Sequence, residues 1–410
     1  MPGGNMPGVI IVGAGQAGYQ TAESLRQEGY DGPITLIGEE PDAPYQRPPL
    51  SKAYLLGETD KLRLKFRADD WYAEHGIELR TGTRVTGIDR PGKSVTLHDG
   101  ASLDYDKLVL VTGAKVRELP VPGTVLDGVC YLKTLAHIDH IEARLPDVER
   151  VAVIGGGFIG LEFAAVASKL GKQVTVIEAL ERVMARVVPP VLSDFYTGLH
   201  ESHGVEVVCG AMVSEIVGDG GRIKSIKCAD GRELAADLAV IGIGIVPDIE
   251  LAEAAGLTCD NGIVVDAQCR TSDPDIFAGG DCAAYAHPFA GALLRLESVQ
   301  NAADQGRAIA AAIAGTNKPY VTVPWFWSDQ YDVKLQMVGL LAGCDEHLLR
   351  GDPAEGRFSV MHYRGDELRS ISSVNRPADH IQGRKLLAAG ISPSAEQAVD
   401  VDFKLKSLLD

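Results

Sequence analysis

A glycine-rich segment occurs twice in this 410-residue sequence, and it limits the possible folds more than any other feature. The copies read GVIIVGAGQAG from Gly8 and VAVIGGGFIG from Val151. In each, a short apolar run precedes Gly-x-Gly-x-x-Gly, and a helical stretch leads to a second apolar run and a glutamate. This order predicts the strand, tight turn, helix and strand of a Rossmann-like unit. The first glycines lie 142 residues apart, which predicts two complete dinucleotide-binding modules.

The glycines of each copy have distinct predicted roles. The first permits a tight bend, the second lets the backbone approach a pyrophosphate, and the third lets the helix pack closely on the strand. The pyrophosphate then faces the helix N-terminus. The residues predicted to line the two dinucleotides are Gly13, Gly15, Ala17 and Gly18 in the first copy, and Gly155, Gly157, Phe158, Ile159 and Gly160 in the second.

Each copy ends in an acidic residue at a suitable distance for binding a ribose. Glu39 and Glu178 follow the third glycines by 21 and 18 residues, near the spacing of about 20 for a carboxylate that binds a ribose diol. Solvated acids at strand ends are the alternative. A carboxylate at 178 would repel the 2′-phosphate of NADPH, so NADH is the expected coenzyme. Arg182 and Arg186 lie close enough in sequence to accommodate that phosphate instead.

Three later segments are consistent with nucleotide binding. Residues 108–114 are predicted as a buried strand that ends in Thr-Gly-Ala, and residues 238–246 as a matching buried strand that ends the second module. Asp281 follows two glycines, where a carboxylate suits a ribityl hydroxyl, although it could equally cap the next helix. The candidate residues are Thr112, Gly113, Ala114 and Asp281 for the first dinucleotide and Gly242 for the second.

Composition excludes several other classes of protein. The formal net charge is −17, which disfavours nucleic acid and anionic membranes as partners. No apolar run approaches the 18 residues of a membrane helix, and the N-terminus lacks a signal-peptide pattern, so a cytoplasmic protein is expected. The seven cysteines are scattered without a Cys-x-x-Cys pair. This disfavours a disulfide framework, a redox dithiol and a zinc site, so no metal is predicted.

The combined motifs resemble the two-dinucleotide flavoprotein reductases of the glutathione reductase superfamily. Within it, the chain is most similar to the FAD-dependent, NADH-using ferredoxin reductases that serve Rieske oxygenases and bacterial cytochrome P450 systems. The segments that carry this closer likeness are YQRPPLSK from Tyr45, Glu162 in the second glycine helix, and VPWFWSDQYDVKLQMVG from Val323. Disulfide reductases of the superfamily carry a redox cysteine pair in the neighbourhood of residues 47–52, whereas no cysteine precedes Cys130 in this sequence. A dithiol relay and single-cysteine peroxidase chemistry are therefore excluded.

The resemblance implies an α/β fold of two Rossmann-like dinucleotide-binding domains, one for FAD and one for NAD, plus a C-terminal α+β domain. A discontinuous FAD domain is expected over residues 6–116 and 245–322, with the NADH domain inserted over 117–244. Residues 323–410 are expected to form the C-terminal interface domain, with strands near 334–341 and 356–365.

The resemblance also implies individual roles. Lys52 and Glu162 are expected to form an ion pair across the domain gap, with Glu162 at the nicotinamide carboxamide and Lys52 near the isoalloxazine. Trp327 is expected to wall the flavin. The alternatives are that Lys52 lies in a basic surface loop, that the Glu162 carboxylate interacts favourably with the helix dipole, and that Trp327 packs in the core. The other residues implied at the cofactors are Arg47, Pro48, Val85 and Val299 for FAD and Arg186 for NAD.

The implied reaction is hydride transfer from NADH to FAD, followed by release of single electrons to a [2Fe–2S] ferredoxin. The chain is expected to be a monomer or weak dimer. Because such ferredoxins are usually acidic and this chain is also acidic, a basic patch is needed for docking. The candidate docking cations are Arg295, Arg307, Arg384 and Lys385, with the run 61–67 as another candidate or a solvated amphipathic edge. The alternative functions are an NADH-sensing flavoprotein resembling apoptosis-inducing factor and a rubredoxin reductase.

Overall fold

The computed structural model describes residues 7–316 and 319–409. Their contacts divide them into two compact units. The first unit comprises the described residues of Met1–Gln46, Lys61–Lys115 and Val246–Phe326, and the second those of Arg47–Asp60, Val116–Ile245 and Trp327–Asp410. The two units are defined by how the chain packs and not by which cofactor each part binds. The domain boundaries expected from the sequence therefore stay a prediction. Two of those boundaries, residues 6 and 410, lie outside the described residues.

The first unit is built on a mixed sheet. Its parallel part has the order β3-β2-β1-β6, with β18 on the other side of β6, and the hairpin β4-β5 extends β6 in antiparallel fashion. A smaller sheet has the order β17-β19-β20. The strands are β1 (Gly8–Val12), β2 (Ile34–Ile37), β3 (Ile77–Arg80), β4 (Val85–Asp89), β5 (Ser94–Leu97), β6 (Ser102–Leu110), β17 (Ile263–Val265), β18 (Ile276–Ala278), β19 (Ala283–His287) and β20 (Ala292–Leu294), with labels in chain order.

Helices cover the sheet of the first unit and complete its core. All five residues of β1 are buried, as expected for a central parallel strand. The helix α1 packs along α8, whose N-cap Ser298 accepts a hydrogen bond from the Asn301 amide at 3.1 Å. The helices of this unit are α1 (Gln16–Gln27), α2 (Lys61–Leu64), α3 (Asp69–Glu74), α7 (Glu250–Ala254) and α8 (Val299–Ile313).

The second unit contains the second glycine motif. A parallel sheet has the order β11-β10-β9-β15-β8, and an antiparallel sheet has the order β12-β13-β14. The strands are β8 (Val129–Tyr131), β9 (Arg150–Ile154), β10 (Gln173–Ile177), β11 (Glu206–Val208), β12 (Val213–Asp219), β13 (Arg222–Cys228), β14 (Glu233–Ala235) and β15 (Leu238–Ile241). The helices are α4 (Leu135–Glu142), α5 (Phe158–Lys169) and α6 (Pro190–Ser202). The short strands β7 (Ala114–Val116) and β16 (Ile245–Pro247) lie where the chain passes from one unit to the other.

The C-terminal segment forms a sheet of the order β21-β22-β25-β24-β23, with α9 packed on β22 and β25. The strands are β21 (Trp325–Gln330), β22 (Val333–Gly339), β23 (Glu346–Asp352), β24 (Arg357–Arg364) and β25 (Glu367–Val374), and the helices are α9 (Pro377–Ala389) and α10 (Ala395–Val399). Both predicted C-terminal strands are present. With two parallel-sheet modules and a C-terminal sheet, the predicted fold class is confirmed.

One local prediction was wrong. Residues 238–246 are not one strand, because β15 ends at Ile241 and Gly244 adopts a φ of +111° before β16 begins. The run 61–67 begins with the helix α2 (Lys61–Leu64). Within the part of the chain that the structure describes, no helix is both long and apolar enough to cross a membrane.

Candidate functional site

The first glycine turn connects β1 to α1 in the first unit, and packing explains two of its glycines. Gly13 has a φ of +115°, and a Cβ there would lie 2.2 Å from the carbonyl oxygen of Val111. A Cβ at Gly18 would lie 1.9 Å from the carbonyl oxygen of Gly13. Both positions therefore exclude any side chain for reasons internal to the protein.

Gly15 has no such internal explanation. Its φ is −88°, which any residue adopts, and a Cβ there would have no protein atom within 4 Å. It is also the N-cap of α1, and no side chain caps that helix. The first turn of α1 therefore faces open space, as expected where the backbone must approach a pyrophosphate. The residues here fit a dinucleotide.

The second glycine turn, between β9 and α5 in the second unit, has the same geometry. Gly155 has a φ of +109°, and a Cβ at Gly160 would lie 2.1 Å from the carbonyl oxygen of Gly155. Gly157 has a φ of −80°, has no protein atom near its Cβ position, and is an N-cap without a side-chain cap. Phe158 is half-buried and Ile159 is 48% exposed in the first turn of α5. This turn fits a second dinucleotide for the same reasons.

Glu178 and Glu39 differ in their surroundings. Glu178 Oε2 accepts a hydrogen bond of 2.7 Å from the Gly156 amide, and its Oε1 accepts one of 2.8 Å from the Leu180 amide. These bonds hold the carboxylate at the glycine turn, where a ribose would lie. The Glu39 side chain is 69% exposed, and its Oε1 lies 3.9 Å from Arg84 Nε. Its role at a ribose stays a prediction.

The two arginines near Glu178 also differ. The Arg182 guanidinium donates to the carbonyl oxygens of Val188 and Ala185 and to Ser193 Oγ, at 2.6 to 3.0 Å. These bonds shape the loop before α6 and occupy much of the donor capacity of Arg182. Arg186 is exposed.

The remaining predicted cofactor residues of the first unit lie near strand ends or at a helix start. Thr112 Oγ1 donates to the Asp248 carbonyl at 2.6 Å, and Gly113 has a φ of +72°. Asp281 is half-buried in a short 3₁₀ turn after β18, and Val299 is the first residue of α8. The others are buried or half-buried: Ala17 in α1, Val85 in β4 and Ala114 in β7.

A buried carboxylate is the most distinctive polar feature of the second unit. Glu162 lies in α5, two residues after Gly160, and its Oε1 lies 2.9 Å from Lys52 Nζ. Its Oε1 accepts from Ser328 Oγ at 2.8 Å, and its Oε2 accepts from Ser51 Oγ at 3.2 Å. The structure thus contains the Lys52–Glu162 ion pair expected from the sequence, but both residues belong to one compact unit and the pair does not cross from one unit to the other. The roles of both residues toward cofactors stay predictions.

Burial dominates the electrostatics of this cluster. It raises the pKa of the Glu162 carboxyl, while the Lys52 charge and the hydrogen bonds from Lys52, Ser328 and Ser51 lower it. Lys52 reaches the carboxylate from a distorted helical turn over Leu50–Tyr54, where its own φ and ψ are −134° and −111°. Its side chain is 21% exposed, so the ammonium lies at the edge of the buried cluster.

Neighbouring residues of the second unit have partial assignments. Arg47 donates to the Lys133 carbonyl at 3.1 Å, and Pro48 follows it directly. Trp327 is half-buried in β21, next to Ser328. Gly242, after β15, donates its amide hydrogen to the Ile154 carbonyl at 2.8 Å. Their contacts with cofactors stay predictions.

Sequence reasoning missed Ser51 and Ser328 as partners of Glu162. Ser328 lies inside the aromatic-rich run from Trp325, and the two residues are 277 positions apart in the chain. The available signal was the period of two in β21, where Ser328 and Gln330 share one strand face and both are fully buried. Buried polar residues at alternate positions of a strand indicate a polar partner beneath it.

The predicted docking cations are unequally available. The Arg295 side chain is 11% exposed, and Arg295 Nη1 lies 2.6 Å from Glu297 Oε1. Arg307 is 53% exposed and pairs with Asp304 at 2.8 Å. Arg384 and Lys385 are exposed neighbours on α9. Within the run 61–67, Lys65 pairs with Asp69 at 2.7 Å and Arg67 with Glu23 at 2.6 Å.

Two glycine turns that each leave the first turn of a helix open, in two parallel-sheet modules, define a two-dinucleotide oxidoreductase. The sequence matches the family Pyridine nucleotide-disulphide oxidoreductase over residues 7–306 and the Reductase C-terminal domain over residues 325–409. The chain therefore belongs to the pyridine nucleotide-disulphide oxidoreductase family, and the predicted resemblance is confirmed.

Individual relatives match along nearly the whole chain. Rhodocoxin reductase of Rhodococcus erythropolis is 48% identical over 398 residues, which cover 97% of this chain and 93% of that protein. The crystal structure of the ferredoxin reductase for the CYP199A2 system from Rhodopseudomonas palustris is 48% identical, with a TM-score of 0.95 over 97% of this chain and 98% of that one. The covalent putidaredoxin reductase–putidaredoxin complex is 40% identical, with a TM-score of 0.96 over 99% of each chain.

Proposed function

We propose that this chain is an FAD-dependent NADH:ferredoxin reductase that supplies a cytochrome P450 or a Rieske oxygenase through a [2Fe–2S] ferredoxin. The observation that carries the proposal is the buried Glu162, ion-paired with Lys52 and located two residues after the second glycine turn. Two similar solved structures support the proposal. One is the ferredoxin reductase for the CYP199A2 system, and the other is putidaredoxin reductase in a covalent complex with putidaredoxin.

The chain's own residues bind and orient. FAD, when bound, accepts two electrons from NADH and releases them one at a time. The open helix starts at Gly15 and Gly157 bind the two pyrophosphates. Glu162 would accept a hydrogen bond from the nicotinamide amide, and Lys52 orients that carboxylate and lowers its pKa against the effect of burial. Fixing the nicotinamide in a reactive position is the main contribution of such groups to the rate.

The coenzyme is NADH rather than NADPH. Glu178 is held at the turn by two backbone amides, and Arg182 is occupied by the loop before α6, so a 2′-phosphate meets a carboxylate and one exposed arginine, Arg186. We expect kcat/KM for NADH to exceed that for NADPH at least tenfold, and Glu178→Gln to reduce this ratio about tenfold. Steady-state kinetics with both coenzymes checks this. A higher kcat/KM for NADPH in the wild type would contradict the assignment.

The ferredoxin docks on exposed cations, and the candidates we favour are Arg384 and Lys385, which are adjacent and both exposed on α9. In a chain of net charge −17, attraction to an acidic ferredoxin needs such a local patch. We expect KM for ferredoxin to rise about tenfold on adding about 0.3 M salt, and a similar rise in the double variant Arg384→Glu, Lys385→Glu. Lys224→Glu, an exposed charge reversal on β13, is the control. A salt-independent KM would contradict electrostatic docking.

We also place the protein in the cytoplasm, as a monomer or weak dimer. The proposed function is tested by NADH-dependent reduction of cytochrome c with and without a [2Fe–2S] ferredoxin. A large rate increase on adding ferredoxin is expected. A comparable increase with rubredoxin alone would instead favour a rubredoxin reductase.

A further inference from the structure

A chain of buried hydrogen bonds leads away from Glu162 within the second unit. Ser328 Oγ donates to Glu162 Oε1 at 2.8 Å, and Gln330 Nε2 donates to Ser328 Oγ at 3.2 Å. His200 Nε2 lies 2.9 Å from Gln330 Oε1. Ser328, Gln330 and His200 are each fully buried. Burying three polar side chains costs free energy unless their polar groups form hydrogen bonds with one another. Because these hydrogen bonds end at Glu162, they restrict the orientation of its carboxylate.

The hydrogen bonds that lead from His200 to Glu162 all run in one direction. Gln330 Oε1 can only accept a hydrogen bond, so His200 Nε2 carries the hydrogen and donates to it, and burial lowers the pKa of His200 and so favours the neutral ring. The Gln330 amide then donates through Nε2 to a lone pair of Ser328 Oγ. A serine hydroxyl has a single hydrogen, and that hydrogen is left for Glu162. Every donor therefore points toward Glu162.

The far end of the chain is anchored. Tyr331 lies at the turn between β21 and β22 with a φ of +57°, unusual for a tyrosine. Its hydroxyl lies 3.4 Å from His200 Nδ1, and its ring stacks on His203 at 3.7 Å. The chain thus ties α6 and β21 to α5, and β21 also carries Trp327.

We propose that Ser328, Gln330 and His200 are positioning residues that direct the Ser328 hydroxyl onto Glu162 and so hold this carboxylate in its ionised, Lys52-bound orientation. The inference deepens the proposed function and rests on the role given there to Glu162. The Ser328 hydroxyl favours the charged form of Glu162, because a hydroxyl whose hydrogen is directed at an oxygen stabilises a carboxylate more than a carboxylic acid.

Among residues 7–316 and 319–409, few titratable groups act on Glu162. Lys52 faces it from the turn over Leu50–Tyr54 together with the Ser51 hydroxyl. From α6, Tyr196 interacts with it electrostatically, and burial raises the pKa of Tyr196, so it stays neutral. His200 acts through Gln330 and Ser328. Removing the Ser328 donor therefore makes the charged form of Glu162 less favourable and moves its titration to higher pH.

The test compares two buried serines. Ser328→Ala removes the donor to Glu162, and Ser359→Ala removes an equally buried donor, 2.9 Å from Asp379 Oδ2, in the same C-terminal sheet. In the holoprotein without NADH, the Glu162 signal is followed by NMR of carboxyl-¹³C-labelled glutamate and assigned by its loss in Glu162→Gln. We expect its titration midpoint to rise by about one pH unit in Ser328→Ala and to be unchanged in Ser359→Ala. An unchanged midpoint in Ser328→Ala would overturn the proposal.

Kinetics then separates this proposal from the proposed function. The rate of flavin reduction by NADH is expected to fall at low pH as Glu162 becomes protonated. In Ser328→Ala this fall is expected to occur at a higher pH than in wild type, by the same shift as the Glu162 titration midpoint. Gln330→Met, which frees the Ser328 hydroxyl to rotate, is expected to shift both in the same direction by less. A shifted NMR midpoint with an unchanged kinetic profile supports the positioning of Glu162 and contradicts its role with NADH.

Discussion

Replacing Glu162 with alanine is expected to slow flavin reduction by NADH about a hundredfold, and to leave oxidation of the reduced protein by ferredoxin within about threefold of wild type. The substitution removes the carboxylate that pairs with Lys52 at 2.9 Å and accepts hydrogen bonds from Ser328 at 2.8 Å and Ser51 at 3.2 Å. Because Glu162 is proposed to orient the nicotinamide and not the ferredoxin, only the first half-reaction depends on it. Stopped-flow absorbance of the flavin measures the two half-reactions separately.

Two further variants control this experiment. Glu162→Gln keeps the shape and an acceptor oxygen but removes the charge, and is expected to lie between wild type and Glu162→Ala. Glu23→Ala breaks a partly buried ion pair with Arg67 in the first unit, at 2.6 Å, and is expected to leave both half-reactions unchanged. Equal losses in the two half-reactions of Glu162→Ala would contradict the proposed role.

Gly15→Ala is expected to weaken FAD binding at least tenfold while leaving the unfolding midpoint of the flavin-free protein unchanged or slightly raised. At a φ of −88° with no protein atom within 4 Å of the added methyl group, alanine is compatible with the fold. The methyl group intrudes only on a bound pyrophosphate. Flavin content after purification and thermal unfolding of the flavin-free protein measure the two effects independently.

The matched variants occupy the other turn positions. Gly18→Ala places a Cβ 1.9 Å from the Gly13 carbonyl oxygen, so it is expected to destabilise the flavin-free protein itself, by about 1 to 3 kcal/mol or more. Gly157→Ala is expected to raise KM for NADH about tenfold with the flavin content unchanged. A Gly15→Ala protein with full flavin content and wild-type affinity would show that this turn does not hold the cofactor.

The features that could be predicted from the sequence depend on neighbouring residues. Gly13 has a positive φ that favours glycine, and Gly18 is constrained by the Gly13 carbonyl oxygen of the same turn, so their spacing indicates the geometry. The strand β1 is buried on both faces and reads as an uninterrupted apolar run. Because of these local requirements, the fold class and both glycine turns could be predicted from the sequence.

The features that were missed depend on residues far apart in sequence. Ser328, Gln330 and His200 meet only because β21 lies against α5 and α6, and a single serine carries no local sign of its partner. The position of Arg182 close to Glu178 suggested a phosphate contact, but the structure shows that its guanidinium is engaged by its own loop. The run 238–246 has the apolar character of one strand, and glycine backbone conformation interrupts it.

Mixing the NADH-reduced protein anaerobically with excess [2Fe–2S] ferredoxin tests the central claim most directly. A flavin that holds two electrons and releases them singly is expected to reduce two ferredoxins per protein within seconds, as followed at the ferredoxin absorbance band. A reduced protein that stays reduced for minutes with every ferredoxin, in a long-lived charge-transfer complex with NAD⁺, would contradict a ferredoxin reductase and favour an NADH-sensing flavoprotein.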